Sequence, residues 1–340
     1  MAHSLPTIGR RLPVVPPALP LGLAVPVCLP LVVGALAESA TTSRASGLRL
    51  TNATAHLAGY VGLALTVGTL FFAAVLWTAA TEHPRVRSAL TAGWLVGLTG
   101  ALTGCLVQAA YTEGTRITAL TPSIFSDSLS APEVQHRLAA VGMWLLVGPV
   151  LLVVRAGGAA ALRAPAWRVA APVIGFGLVR LTSITADAPI TAATTLASMA
   201  HLAAMTLWLG GLAVLCLAVT AMNESDLAAA LPRFSRLALG CVTTVVATGA
   251  LLTVAYLDSP ADLVGTGYGR LILTKIALML LVLVAARRSQ MWVSRRFAPG
   301  QTARHPGGQV RTLLCAVAVE TTLAIAVLTV ASALVTAPGG

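Results

Sequence analysis

The chain has 340 residues, 57% of them hydrophobic and only 10% charged. A water-soluble domain carries about 25% charged residues, so this composition excludes one and points to a polytopic integral membrane protein. The formal net charge of +11 does not point to nucleic acid. The basic residues stand in short clusters between apolar runs, as membrane topology requires.

Residues 1–54 read as an N-terminal segment. It holds Arg10 and Arg11, then an apolar run from Val14 to Ala37 that contains Pro16, Pro17, Pro20, Pro26 and Pro30. Proline at that density suits a straight helix poorly. The run ends in Ala35-Leu36-Ala37, an A-x-A pattern like a signal-peptidase site. It is therefore a first span or a removed signal sequence, and a retained span is the favoured reading.

Further apolar runs cover approximately 55–79, 89–110, 133–154, 167–185, 194–220, 237–257, 270–286 and 312–335, each near the roughly 20 residues that a membrane-spanning helix needs. The expected fold is all-α: an integral membrane helix bundle of eight core transmembrane helices, plus the N-terminal ninth if it is retained. Residues 55–193 form the first half of the bundle and 194–340 the second.

The connectors divide by charge. One alternate set holds most of the arginines, among them Arg85, Arg87, Arg155, Arg163, Arg233, Arg236, Arg287 and Arg288. The other holds Arg44, Arg49 and Arg116, with Arg270 at a span edge, and most of the acids, including Glu38, Glu113, Asp127, Asp187, Asp258 and Asp262. The positive-inside rule then places the Arg-rich loops in the cytoplasm of a bacterium and the C-terminus outside its plasma membrane. The connector from Arg287 to Arg311 reads either as an interfacial helix on the anionic inner leaflet or as a solvated loop. No P-loop or dinucleotide fingerprint is present. No nucleophile–base pair suggests an enzyme.

Chemistry concentrates on Thr194–Leu217. At about 100° per residue, Thr194, Ser198, His201, Met205 and Trp208 share one stripe of this span. An imidazole and a thioether thus stand one turn apart, inside a membrane helix where ionisable groups are rare and face the protein interior. His56 and His136 open two other spans that run in the same direction, so the three histidines are expected at similar depth in the outer half. Met143 lies on the face of His136, and Tyr60 one turn below His56. Imidazole with thioether is a soft ligand set suited to Cu(I). His3, His83 and His305 fall on cytoplasmic segments and read as solvated. The cysteines (Cys28, Cys105, Cys216, Cys241, Cys315) are single and form no CxxC pair, so they read as small buried hydrophobes.

Three charged groups fall within spans: Arg180, Lys275 and Glu320. Each costs roughly 2.5–3.5 kcal/mol near a helix centre, which a Lys275–Glu320 pair would partly offset. The alternative is a transport path or a role in proton coupling. Gly210 and Gly211, after Trp208, are expected to form a tight helix crossing beside the histidine face.

Several stretches resemble the copper resistance protein D (CopD) family, which includes the membrane half of fused CopC–CopD proteins. They are His201 to Gly211 (HLAAMTLWLGG), Arg233 to Leu257 (RFSRLALGCVTTVVATGALLTVAYL), Tyr268-Gly269-Arg270 leading to Lys275, and the run from Glu320 towards Pro338. The resemblance is strongest over residues 194–338 and weaker over 55–190. It implies an eight-helix inner-membrane protein associated with copper uptake or handling, with His201, Trp208, Lys275 and Glu320 at family positions. It also implies a separate periplasmic copper-binding partner, since the chain has no CopC-like domain. The expected function is copper transport or handling across the bacterial inner membrane, with copper held by His201, Met205, His136, His56 and Met143. Alternatives are a membrane electron-transfer protein holding haem b between imidazoles, and a factor that loads copper into another protein.

Overall fold

A computed structural model of the chain describes residues 45–183, 191–219, 222–256, 265–296, 318–319, 321–332 and 334. The proline-rich run Val14–Ala37, Cys28, Cys315, Glu320 and most of the connector beyond Arg296 lie outside the described residues.

The chain is a helical, polytopic membrane protein. Six described helices are long and apolar enough to cross a membrane: Gly47–Val75, Pro84–Thr112, Pro132–Arg163, Ala192–Ala218, Ser225–Ala255 and Gly269–Arg288. Two shorter apolar helices, Val169–Ser183 and Thr321–Ser332, fall where the remaining two core spans were expected.

In chain order, α1 (Ala45–Leu63) passes through a π-helical turn, Ala64–Gly68, into α2 (Thr69–Val75). Next come α3 (Pro84–Thr112), the short α4 (Pro122–Ser128), α5 (Pro132–Arg163) and α6 (Trp167–Ser183). The second half holds α7 (Ala192–Ala218), α8 (Glu224–Tyr256), α9 (Gly267–Arg296) and α10 (Thr321–Ser332). Proline starts α3, α4 and α5 at the first helical position, where its missing N–H is an orphan in any case. A capping box starts α7: the Thr191 hydroxyl accepts from the Thr194 N–H, and the Thr194 hydroxyl accepts from the Thr191 N–H. α5 bends at Gly158, whose φ of 52° and ψ of −134° suit a residue without Cβ.

Small residues set the helix spacing, because apolar side chains gain little by leaving lipid for protein and close contact must supply the attraction. Gly62 and Gly100 let α1 and α3 touch backbone to backbone, while Gly97 makes room for the Trp144 ring of α5. A Cβ on Gly62 would lie 2.6 Å from the Gly97 nitrogen, and one on Gly100 would lie 2.9 Å from the Ala55 carbonyl oxygen.

α7 is the most buried of the long spans. It is apolar on most of its circumference, as befits a helix surrounded by others. One side packs on the π turn of the first span and the other along α8. Met205, Trp208, Leu212 and Leu215 join Phe72, Phe234, Cys241 and Val245 in the main buried cluster. A second cluster on the other flank gathers Leu63, Trp144, Leu178 and Met199.

Candidate metal site on the central helix

His201 sits in the tenth position of α7 and faces α8. Its Nδ1 lies 3.0 Å from the hydroxyl of Thr248. The next residue, Gly249, brings the α8 backbone close to the ring: a Cβ there would lie 3.4 Å from His201 Cε1. The imidazole is partly buried, and Met205, one turn along the same stripe, is fully buried. Trp208, the next residue of the stripe, is 1% exposed and closes it from below. Lys275 on α9 is half-buried and near enough for its charge to act on His201. It has no hydrogen-bond or ion-pair partner among the described residues. Glu320, its expected partner, lies outside the described residues.

The two glycines that follow Trp208 serve different neighbours. Gly210 meets the π turn of the first span, where a Cβ would come within 2.6 Å of the Ala64 carbonyl oxygen. Gly211 meets α8, where a Cβ would come within 2.9 Å of the Phe234 ring. These contacts fix α7 against both sides of the bundle, between two and three turns beyond His201. The hydroxyls of Thr66, in the π turn, and of Thr69, which opens α2, are buried without hydrogen-bond partners among the described residues.

His56 is buried, 5% exposed, but its surroundings are cationic. The Arg137 guanidinium, from α5, donates to His56 Nε2 at 3.3 Å, and the Tyr60 ring stands 6.1 Å away. Arg137 is a fourth charged group within a span, beyond Arg180, Lys275 and Glu320. It stands next to His136 near the start of α5, and its guanidinium turns inward alongside Gly104. Arg180 is half-buried near the end of α6.

His136 is exposed, and its Nδ1–H donates to the Pro132 carbonyl at 2.8 Å. Met143 packs into the second cluster, its Cε lying 2.7 Å from where a Cβ on Gly177 would be. His201 thus faces α8 with Met205 one turn along its own helix, His56 has an arginine neighbour and His136 is exposed. Outside the spans, His83 is half-buried rather than fully solvated, with its Nδ1 buried and unpartnered. Burial and, secondarily, the nearby Arg85 charge hold its pKa below the usual imidazole value. Among the described residues no three or more His, Cys, Asp or Glu side chains gather as a metal site.

Residues 228–334, from α8 to the end of α10, match the family model for copper resistance protein D, CopD. This part of the chain is similar to the CopD family. The matched stretch supplies Thr248, Gly249 and Lys275, which face or act on His201, whereas His201 itself precedes it. The match associates residues 228–334 with copper resistance. No curated protein and no solved structure matches the chain.

Proposed function

We propose that the protein handles copper across the bacterial plasma membrane, and that the copper passes the α7–α8 seam at His201 and Met205. The observation that carries this reading is the pairing of a partly buried imidazole with a buried thioether one turn away, facing a CopD-family helix. Imidazole and thioether favour Cu(I), whereas a hard cation would call for carboxylates. The alternating arginine connectors support a cytoplasmic placement for those loops. His201 then lies in the outer half, where a separate periplasmic copper-binding protein would deliver the ion. Lys275 lines the same region. As a cation beside a cation site, it opposes copper entry.

His56 stands apart from this site. A cation on its Nε2 would have to displace the Arg137 guanidinium and then sit beside that charge. His136 would meet copper only on the outer surface of the bundle. The same facts weigh against haem b, which needs a second imidazole turned towards His201.

The test is a Cu(I) titration of the detergent-purified protein under reducing conditions, with wild type beside His201→Ala and Met205→Leu. Copper bound by the wild type, lost in His201→Ala and weakened in Met205→Leu, with no Soret band, is the expected result. Equal binding in wild type and His201→Ala would remove the site. A Soret band that vanishes in His201→Ala would replace copper with haem.

A further inference from the structure

Thr248 carries information about the protonation of His201 that the sequence alone does not. A threonine hydroxyl has one proton to donate. The Thr248 Oγ1 lies 2.6 Å from the Thr244 carbonyl oxygen, which can only accept. The proton of Thr248 is committed there, and Oγ1 keeps only lone pairs for its other neighbour. That neighbour is His201 Nδ1 at 3.0 Å, so the hydrogen bond between them forms when Nδ1 carries the proton. In the neutral ring Nε2 then has the bare lone pair.

We infer that Thr248 is a positioning residue: it holds His201 as the Nδ1–H tautomer and offers Nε2 to a soft monovalent cation, Cu(I) or its analogue Ag(I). The inference rests on the proposed copper site and adds how that site is prepared before the ion arrives. Metal-binding histidines commonly donate their second ring N–H to a fixed acceptor, and loss of that acceptor typically weakens binding 10- to 100-fold. Here the acceptor is itself anchored by the backbone of α8. Gly249 lets that backbone approach the ring edge, so orientation and tautomer are set by the same turn of helix.

The experiment uses the full chain, purified in detergent and labelled with ¹⁵N-histidine. Ag(I) and Cu(I) affinities are measured by competition with a chelator for wild type, Thr248→Val, Thr248→Ser and His201→Ala. Nitrogen NMR of the metal-free protein reads the His201 tautomer. Wild type is expected to show the proton on Nδ1. Thr248→Val should lose about 10- to 100-fold in affinity and show a tautomer mixture, and Thr248→Ser should restore both. A wild-type ring protonated on Nε2 overturns the inference without any variant. So does a Thr248→Val protein that binds within twofold of wild type while His201→Ala loses the ion. Unchanged binding in His201→Ala overturns the copper site itself and the inference with it.

Discussion

The crossing of α7 with the first span allows a quantitative test of how the site is held. A methyl group added to Gly210 would press on backbone, 2.6 Å from the Ala64 carbonyl oxygen. Ordinary van der Waals contact needs well over 3 Å, and the opposing atoms are main chain, so no side chain can swing aside. The two helices must separate by roughly half an ångström or more, which loosens the contacts of neighbouring layers. Overpacking of this kind costs about 1–3 kcal/mol. With backbone on the opposing side we expect the upper part of that range, about 2–3 kcal/mol, or roughly 30- to 150-fold in the unfolding equilibrium.

Gly240→Ala is the control. Gly240 is on α8, exposed, with nothing within 4 Å of the added Cβ. Alanine there removes backbone entropy from the unfolded state and should gain about 0.5–1 kcal/mol. The assay is reversible unfolding in mixed micelles at increasing denaturing detergent, followed by tryptophan fluorescence. Gly210→Ala within 0.5 kcal/mol of wild type, or less stable than Gly240→Ala by under 1 kcal/mol, would refute the reasoning.

Other outcomes follow from single contacts. Trp77 Nε1–H donates to Asp226 Oδ2 at 3.1 Å, tying the end of the first span to the start of α8. Trp77→Phe should destabilise by about 1 kcal/mol in the same assay, the usual net worth of a hydrogen bond, and Asp226→Asn by less. His136→Ala should leave Cu(I) binding unchanged and stability within about 0.5 kcal/mol, as for an ordinary surface substitution, since its ring is exposed. His83 has a folded-state pKa below the unfolded value of 6.5. The unfolded chain therefore binds more protons below pH 6.5, and stability falls as pH drops through that value. Replacing His83 with Gln should flatten the stability profile between pH 7 and 5 relative to wild type, and parallel profiles would contradict the burial of its ring.

Hydropathy and residue spacing are enough to identify the membrane class, the core spans and the residue stripe on α7. Long apolar runs can satisfy their backbone in lipid only as helices, and a helix fixes which of its residues share a face. His201, Met205 and Trp208 are aligned by that periodicity alone. What faces the stripe is a property of two helices, and only the tertiary structure decided it. Thr248 reads in the sequence as one of several span threonines, and its pairing with His201 depends on how α8 lies against α7. Arg137 stands five residues from a helix start, and its meeting with His56 depends on how α5 lies against α1. His136, its neighbour in sequence, points outward, because one residue along a helix turns the side chain by about 100°. Gly210 and Gly211 show the same division: a doubled glycine announces close contact, but the fold assigns one glycine to the π turn of the first span and the other to Phe234. Membrane depth and helical phase are local quantities written in hydropathy and spacing, whereas the partner across a seam depends on helix rotation and offset, which only packing of the whole bundle sets.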